Sequence, residues 1–297
     1  SAVTIDGEAG NTAMGYNALS TSSTTSGNSA FGTRALEDSA ATVCSAFGKD
    51  ALANNSSGNY NCAFGADALK VHTTGDRCCA FGFSAMVVSD DSLGTSAFGD
   101  FAGGLCTSGD YNTFIGYTAG YNVNTGSNNT FIGMDAGRAS SPGGITTSED
   151  NRICLGNTSV TVADVKVDWT INSDGRDKTD VEDFTAGLDF VNKMRSITYR
   201  WDMRSDYVDV ENITPQDILD AVPDGTHKKP KQGIGFIAQD IEVLEKEIGF
   251  ASSRLNQLFC SSSEDGTSIG LKSSSFIPLL VNAIQELSTK VTALENA

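Results

Sequence analysis

The chain has 297 residues and a formal net charge of −17, spread over both halves: residues 1–172 carry 7 Lys and Arg against 16 Asp and Glu, residues 173–297 carry 13 against 21. That balance excludes nucleic acid as an expected partner, because such affinity comes mostly from cations that neutralise phosphates, and no apolar run approaches the eighteen residues that membrane insertion would need. Seven Cys and only two His, His72 and His227, lack zinc-site spacing, so no metal and no cofactor is expected and the thiols are read as reduced.

The length allows two domains. The chain opens on Ser1-Ala2-Val3-Thr4, without Met and without the basic and apolar regions of a signal peptide, and is read as a piece whose N-terminal anchor lies elsewhere. Its first half is a repeat: Ala13-Met14-Gly15, Ala30-Phe31-Gly32 and so on to Phe131-Ile132-Gly133 give eight copies, with successive glycines 17, 16, 17, 17, 17, 17 and 17 residues apart. An alanine follows three positions after every glycine, from Ala18 to Ala136. Such a unit is too short for two packed helices, and its Ser, Thr, Asn and Gly suit short strands and turns. The reading is a β-solenoid over 1–139, with rungs ~4.8 Å apart and a shaft of roughly 40 Å.

Identical residues then stack in columns. The Phe/Ile/Met column is expected to fill the core, the alanines a tight inner corner, and the glycines turns that a Cβ would hinder. Asn11, Asn28, Asn61, Asn112 and Asn129 share one register and are read as an amide ladder. Cys62 and Cys79 fall in a Ser/Thr register and are read as small buried substitutes within reach of each other, without an expected bridge. Asp50, Asp67, Asp100 and Asp135 follow the glycines; paired carboxylates of that kind are what a glycan-cleaving site would need, although soluble solenoids expose such acids anyway.

Periodicity stops after Gly137, and residues 140–172 read as a connector. Ser140 to Gly144 is a loop, Arg152 to Gly156 a degenerate last rung, and Ser159 to Ile171 alternates as further strands. There follows Ser173-Asp174-Gly175-Arg176-Asp177-Lys178, a hydroxyl and an amine five residues apart. A lysine serves as base to a serine only when neutral, which burial and a neighbouring cation such as Arg176 favour. Gly175 permits a turn that folds Lys178 back toward Ser173, whereas a helix would set the two apart. The plainer reading is a solvated turn in which Asp174 caps the next helix.

Beyond it, Phe184, Leu188, Val191 and Met194 suggest a helix, Ser196 to Trp201 a strand, and Thr214-Pro215 a helix start. Gly233-x-Gly235-x-x-Ala238 imitates a dinucleotide fingerprint, but charged Lys228 to Lys231 stand where its buried strand should be, so the glycines are read as close-packing positions. Ile277, Leu280, Ile284, Leu287, Val291 and Leu294 alternate by three and four. That spacing predicts a coiled coil over about 276–296, or a helix packed on its own domain.

The order Ser173-Asp174-x-Arg176-x-Lys178, Thr198-Tyr199-Arg200-Trp201, Gly233 to Asp240 and Phe276 to Leu287 resembles the intramolecular chaperone auto-processing domain at the C-termini of phage tailspikes and tail fibres, endosialidases included, and in myelin regulatory factor. The resemblance covers 173–297. It implies a small α+β domain that helps the preceding chain form a homotrimer and then cuts itself off, with Ser173 as nucleophile, Lys178 as base, Asp174 and Arg176 in support, and Asn172-Ser173 as the bond cut. Cyclisation of Asn172 on its own backbone is a different route to the same break. The repeats, more loosely, resemble those of trimeric viral fibres and the β-roll heads of trimeric bacterial adhesins.

Taken together, the expected fold is mainly β, a trimeric β-solenoid rod followed by an α+β chaperone domain ending in a coiled-coil helix. The implied role is a virion fibre or spike segment that attaches to a host cell-surface glycan or protein receptor, its chaperone acting in the host cytoplasm during assembly. The alternative is a polysaccharide-degrading tailspike with the same self-cleaving domain. A membrane-tethered regulator of the myelin kind lacks the basic region that DNA binding would need.

Overall fold

The computed structural model describes residues 2–6, 10–20, 25–141, 143–208 and 214–297, of which 2–6 are described by their backbone alone. They fall into two compact units that divide between Val160 and Thr161.

In the first unit, β1 (Ala2–Asp6) pairs antiparallel with β2 (Asn11–Gly15), a capping strand that the repeat did not reveal. From β2 onward one residue triplet per repeat forms a strand: β3 (Ser29–Phe31), β4 (Ser45–Phe47), β5 (Cys62–Phe64), β6 (Cys79–Phe81), β7 (Ser96–Phe98), β8 (Thr113–Ile115) and β9 (Thr130–Ile132). The degenerate rung is present as β10 (Ile153–Leu155), and β2 to β10 form one parallel stack in sequence order. Gly156 follows Gly133 by 23 positions instead of 17, yet Ile153 still registers on Thr130. The extra residues loop out without disturbing the ladder.

Each strand is short because the glycine after it adopts φ between 111° and 145° wherever the repeat is intact, a region that L side chains rarely enter. Its absent side chain also sets the spacing, since a Cβ on Gly65 would lie 2.3 Å from the carbonyl oxygen of Gly82.

The columns face the opposite way from the expectation. The middle residue of each triplet points in: Ala30, Ala46, Ala63, Ala80 and Ala97 have no exposed surface, and the alanine column three residues after each glycine is buried with them from Ala35 onward. The Phe/Ile/Met column lies on the outer face of the sheet, with Met14 50%, Phe98 42%, Ile115 41% and Ile132 41% exposed. Its rings stack on one another at 4.5–4.9 Å from Phe31 to Phe98. The reason is volume. A 17-residue rung closes on a core only wide enough for alanine beside Leu36, Leu52, Leu69 or Met86 from the following turn. Where the middle residue grows to Phe114 or Phe131, the Leu position becomes Gly120 or Gly137, and a Cβ there would lie 2.2 or 2.4 Å from the ring. Large and small have exchanged places at constant volume.

The asparagine column does join the rungs, through the backbone and not side chain to side chain. Asn61 Oδ1 accepts from the Cys78 amide at 2.9 Å while its Nδ2 donates to Gly75 O at 2.8 Å; Asn28, Asn112 and Asn129 repeat the pattern. Where this register lacks Asn, another side chain supplies the donor: Cys44 to Gly58 O, Cys78 to Ser92 O, and Thr95 to Gly109 O at 3.1 Å. This use keeps those thiols protonated, and burial pushes Cys44 up to about 11 and Cys78 to about 12.

The second unit holds α1 (Leu188–Lys193), β11 (Ile197–Arg200), α2 (Pro215–Asp220), β12 (Gln232–Gly235), α3 (Ala238–Glu247), β13 (Cys260–Ser262), β14 (Ile269–Leu271) and α4 (Phe276–Glu295). Thr214 caps α2 reciprocally with Asp217, as Thr214-Pro215 predicts. Strands β11 and β12 pair antiparallel, setting Tyr199 against Gly233, where a Cβ would lie 2.9 Å from the ring. The glycines are thus close-packing positions, although a strand, β12, does precede the helix. Phe190, Ile241, Phe259, Cys260 and Leu279 form the core.

The connector departs from its expectation. Residues 161–172 form no ladder; they are exposed throughout, with Val165, Val167, Trp169 and Ile171 60–77% open. The alternation is real, but a strand needs a neighbour to bond to, and the described residues of one chain offer none. Helix α4 packs on its own unit through Leu279 and Ala283, as the second of the two sequence readings expects, while the seam from Ile277 to Leu294 on which the coiled-coil reading rests is 45–77% exposed.

Candidate self-cleavage site

Ser173 and Lys178 are brought together by one turn of 3₁₀ helix, Gly175–Asp177. Asp174 starts it, its Oδ1 accepting from the Arg176 amide at 2.9 Å, and the Lys178 amide closes it on Gly175 O at 3.4 Å. The result sets Lys178 Nζ 2.7 Å from Ser173 Oγ, the ammonium donating to the hydroxyl, with both residues exposed. Hydroxyl, amine and the adjoining Asn172 carbonyl carbon therefore lie within one short segment.

Two details differ from the sequence reading. Gly175 does not adopt a positive φ, and a Cβ on it would meet nothing within 4 Å, so the turn does not depend on glycine. Arg176 is not aimed at the amine: its guanidinium holds Asp174, Nη2 to Oδ2 at 2.5 Å, which lowers the Asp174 pKa and raises its own. The Asp174–Arg176 pair shapes the turn, with their charges offset against each other.

Residues 173–249 match the family model described as chaperone of endosialidase, and the match opens on Ser173. The C-terminal unit carries an endosialidase-type chaperone domain. Domains of this family are autoproteolytic and typical of phage tail fibres and spikes. No curated protein and no solved structure gave a significant match.

Polar residues that the motifs did not single out hold the chaperone domain together. From α4, Asn282 Nδ2 donates to Phe184 O at 2.5 Å and to Ala186 O at 3.2 Å, and Glu286 accepts from the Leu188 amide; Gly187 leaves room for that carboxylate. Glu245, fully buried on α3, accepts from the amides of Leu258, Phe259 and Cys260. A carboxylate at an otherwise apolar helix position was the available signal. Burial and this carboxylate push the Cys260 thiol up to about 12.

The four acids that follow the repeat glycines are each engaged. Asp50 is buried against Arg34 at 2.5 Å with Lys49 and Lys70 near, Asp67 pairs with Lys70, Asp135 with Arg138, and Asp100 accepts from the Phe83 amide. Hydrogen bonding to Arg34 lowers the Asp50 pKa more than burial raises it. None of the seven cysteines is in a disulfide, and Cys62 and Cys79, paired in register between β5 and β6, lie half-covered on the outer face where burial was expected. Among the described residues no group of three or more His, Cys, Asp or Glu could hold a metal, and no helix is long and apolar enough to cross a membrane.

Proposed function

We propose that this chain is a segment of a viral attachment fibre or spike whose chaperone domain gathers three copies, allows their solenoids to register, and then cuts itself away between Asn172 and Ser173. The observation that carries the reading is the 2.7 Å contact of Lys178 Nζ with Ser173 Oγ at the first residue of the family match. The exposed seam of α4 supports the assembly step, because three short helices can align three chains before the slow non-local rungs form.

The chemistry follows from the groups present. Lys178 serves as base only as the neutral amine, a form that withdrawal from water on assembly would favour. Lys178 then accepts the Ser173 hydroxyl proton as Oγ attacks the Asn172 carbonyl carbon. The C–N bond breaks, the proton passes to the departing Ser173 nitrogen, and an ester joins Asn172 to Ser173 Oγ. Water hydrolyses the ester to the Asn172 carboxylate and the free serine. Loss of the chaperone makes unfolding of the rod hard to reverse, which is kinetic stability.

Mass spectrometry of the denatured full-length chain tests this. Wild type is expected to yield fragments 1–172 and 173–297, with the first ending in a carboxylate, while Ser173→Ala and Lys178→Ala remain whole. Cleavage at an unchanged rate in Ser173→Ala refutes the dyad, and an N-terminal fragment lighter by one water assigns the break to cyclisation of Asn172.

A further inference from the structure

The outer face of the β2–β10 sheet is unlike the rest of the solenoid. Each of these nine strands turns two side chains outward: in β2 to β9 a small one first and a large apolar one second, as in Ser45 and Phe47, and in β10 the two large ones Ile153 and Leu155. None of the eighteen outward positions is charged, in a chain whose net charge is −17. The ionic groups collect instead in the turns, where Arg34, Asp50, Asp67 and Asp135 share a single column. Depletion of charge over a continuous apolar strip distinguishes the centre of a protein interface from ordinary surface.

Its size agrees. Met14, Phe98, Ile115, Ile132 and Leu155 are 41–52% exposed and Ile153 76%. Large apolar side chains present about 200 Å² each. With the part-covered rings and small residues added, the face comes to on the order of 800 Å², one partner's share of a standard interface and more than a typical monomer leaves open in one patch.

We propose that this face is the surface through which the solenoids of neighbouring copies of this chain pack, an assignment that rests on the self-assembly proposed above. A second copy is favoured because the face has a strict rung repeat. The chain itself carries the matching repeat, with parallel strands in register from β2 to β10. Side chains of one copy thus meet gaps of the same period in the next at every rung. The same chain also displays the unpaired heptad seam of α4, a second surface suited to identical partners.

Cys62 and Cys79 are built-in reporters, since they lie on this face and the other five thiols are buried. The test compares maleimide labelling of the full native chain with that of Phe31→Lys/Ile115→Lys, whose new charges sit two rungs from either thiol, and with Ser29→Lys/Thr113→Lys as a second disruption of the same face. Light scattering gives the mass of each, and silence of Cys44, Cys78 and Cys106 shows that the solenoid is folded. Expected is a native particle of several chains in which Cys62 and Cys79 react about tenfold or more slowly than in the folded variants. Equal rates in a particle of several chains overturn the assignment of the face while assembly stands. A single-chain mass overturns both, and self-cleavage, read on the same samples by denaturing gel, is judged separately.

Discussion

Replacing Asn61 by Ala isolates what the asparagine column contributes. Asn61 is 1% exposed, and its amide serves two backbone groups of the following turn, the Cys78 N–H at 2.9 Å and Gly75 C=O at 2.8 Å. Alanine leaves both buried without partners, at about 1–3 kcal/mol each, so the local loss is about 2–6 kcal/mol. Thr95 supplies the control, because in the same register its hydroxyl both donates to Gly109 O at 3.1 Å and accepts from the Asn112 amide at 3.2 Å. Asn61→Thr is therefore expected to recover most of the loss. Native-state hydrogen exchange of the Cys78 amide, read peptide by peptide, reports the rung directly: nearly a thousandfold acceleration in Asn61→Ala at the middle of that range, at about 1.4 kcal/mol per tenfold, and less than about tenfold in Asn61→Thr. Equal protection in both variants and wild type would show that water or neighbouring backbone replaces the amide, and the column would lose its role.

Two glycines test the turn arguments in opposite directions. Gly65→Ala, at φ 138° with its Cβ 2.3 Å from the Gly82 carbonyl oxygen, is expected to cost more than about 3 kcal/mol in denaturant unfolding, whereas Gly175→Ala, in open space, should fold and, on the proposed mechanism, cleave at the wild-type rate. His72 gives a pH dependence. Its Nε2 lies 2.7 Å from Gly75 O, its Nδ1 lies 3.2 Å from both Ser89 O and Ser89 Oγ, and burial lowers its pKa below the usual 6.5, with the hydrogen bonds to the Gly75 and Ser89 carbonyls and then Asp76 and Asp90 opposing. The unfolded chain then binds the proton first, so the contribution of His72 is intact above about pH 6.5 and is lost as pH falls from there toward the lowered folded value. In His72→Asn, which copies Asn55 one rung before, stability measured by urea titration should change less over that window; an unchanged slope removes His72 as its source.

The repeat was legible because stacking forces identical residues to identical environments, and the glycine and alanine columns follow from that alone. Which side of a three-residue strand faces inward was not. Ala-Phe alternation normally buries the larger residue, and here closure of a narrow rung overrides the larger hydrophobic gain from burying phenylalanine. The exchange of Ala63 and Leu69 for Phe114 and Gly120 was visible in the sequence, but only a packed core gives it meaning. Strand β1 carries no copy of the repeat, so periodicity could not disclose it.

At the candidate site the legible part is the local part. Ser173 and Lys178 meet through a turn encoded in six consecutive residues, which is why their contact forms in a single chain. What single-chain folding does not supply is a dry environment for the amine. Nor, among the described residues, does it give a strand partner for residues 161–172, whose apolar alternation ends at the proposed cut, or cover for the seam of α4. Three surfaces thus stay wet where the sequence pattern calls for burial. Association of copies would cover the strand and the seam, and water lost around Ser173 would complete the conditions for a neutral lysine. On the proposed mechanism, a cleavage site assembled from local contacts but activated by non-local burial would stay silent in a newly made chain, so the cut would follow registration of the rods and not precede it.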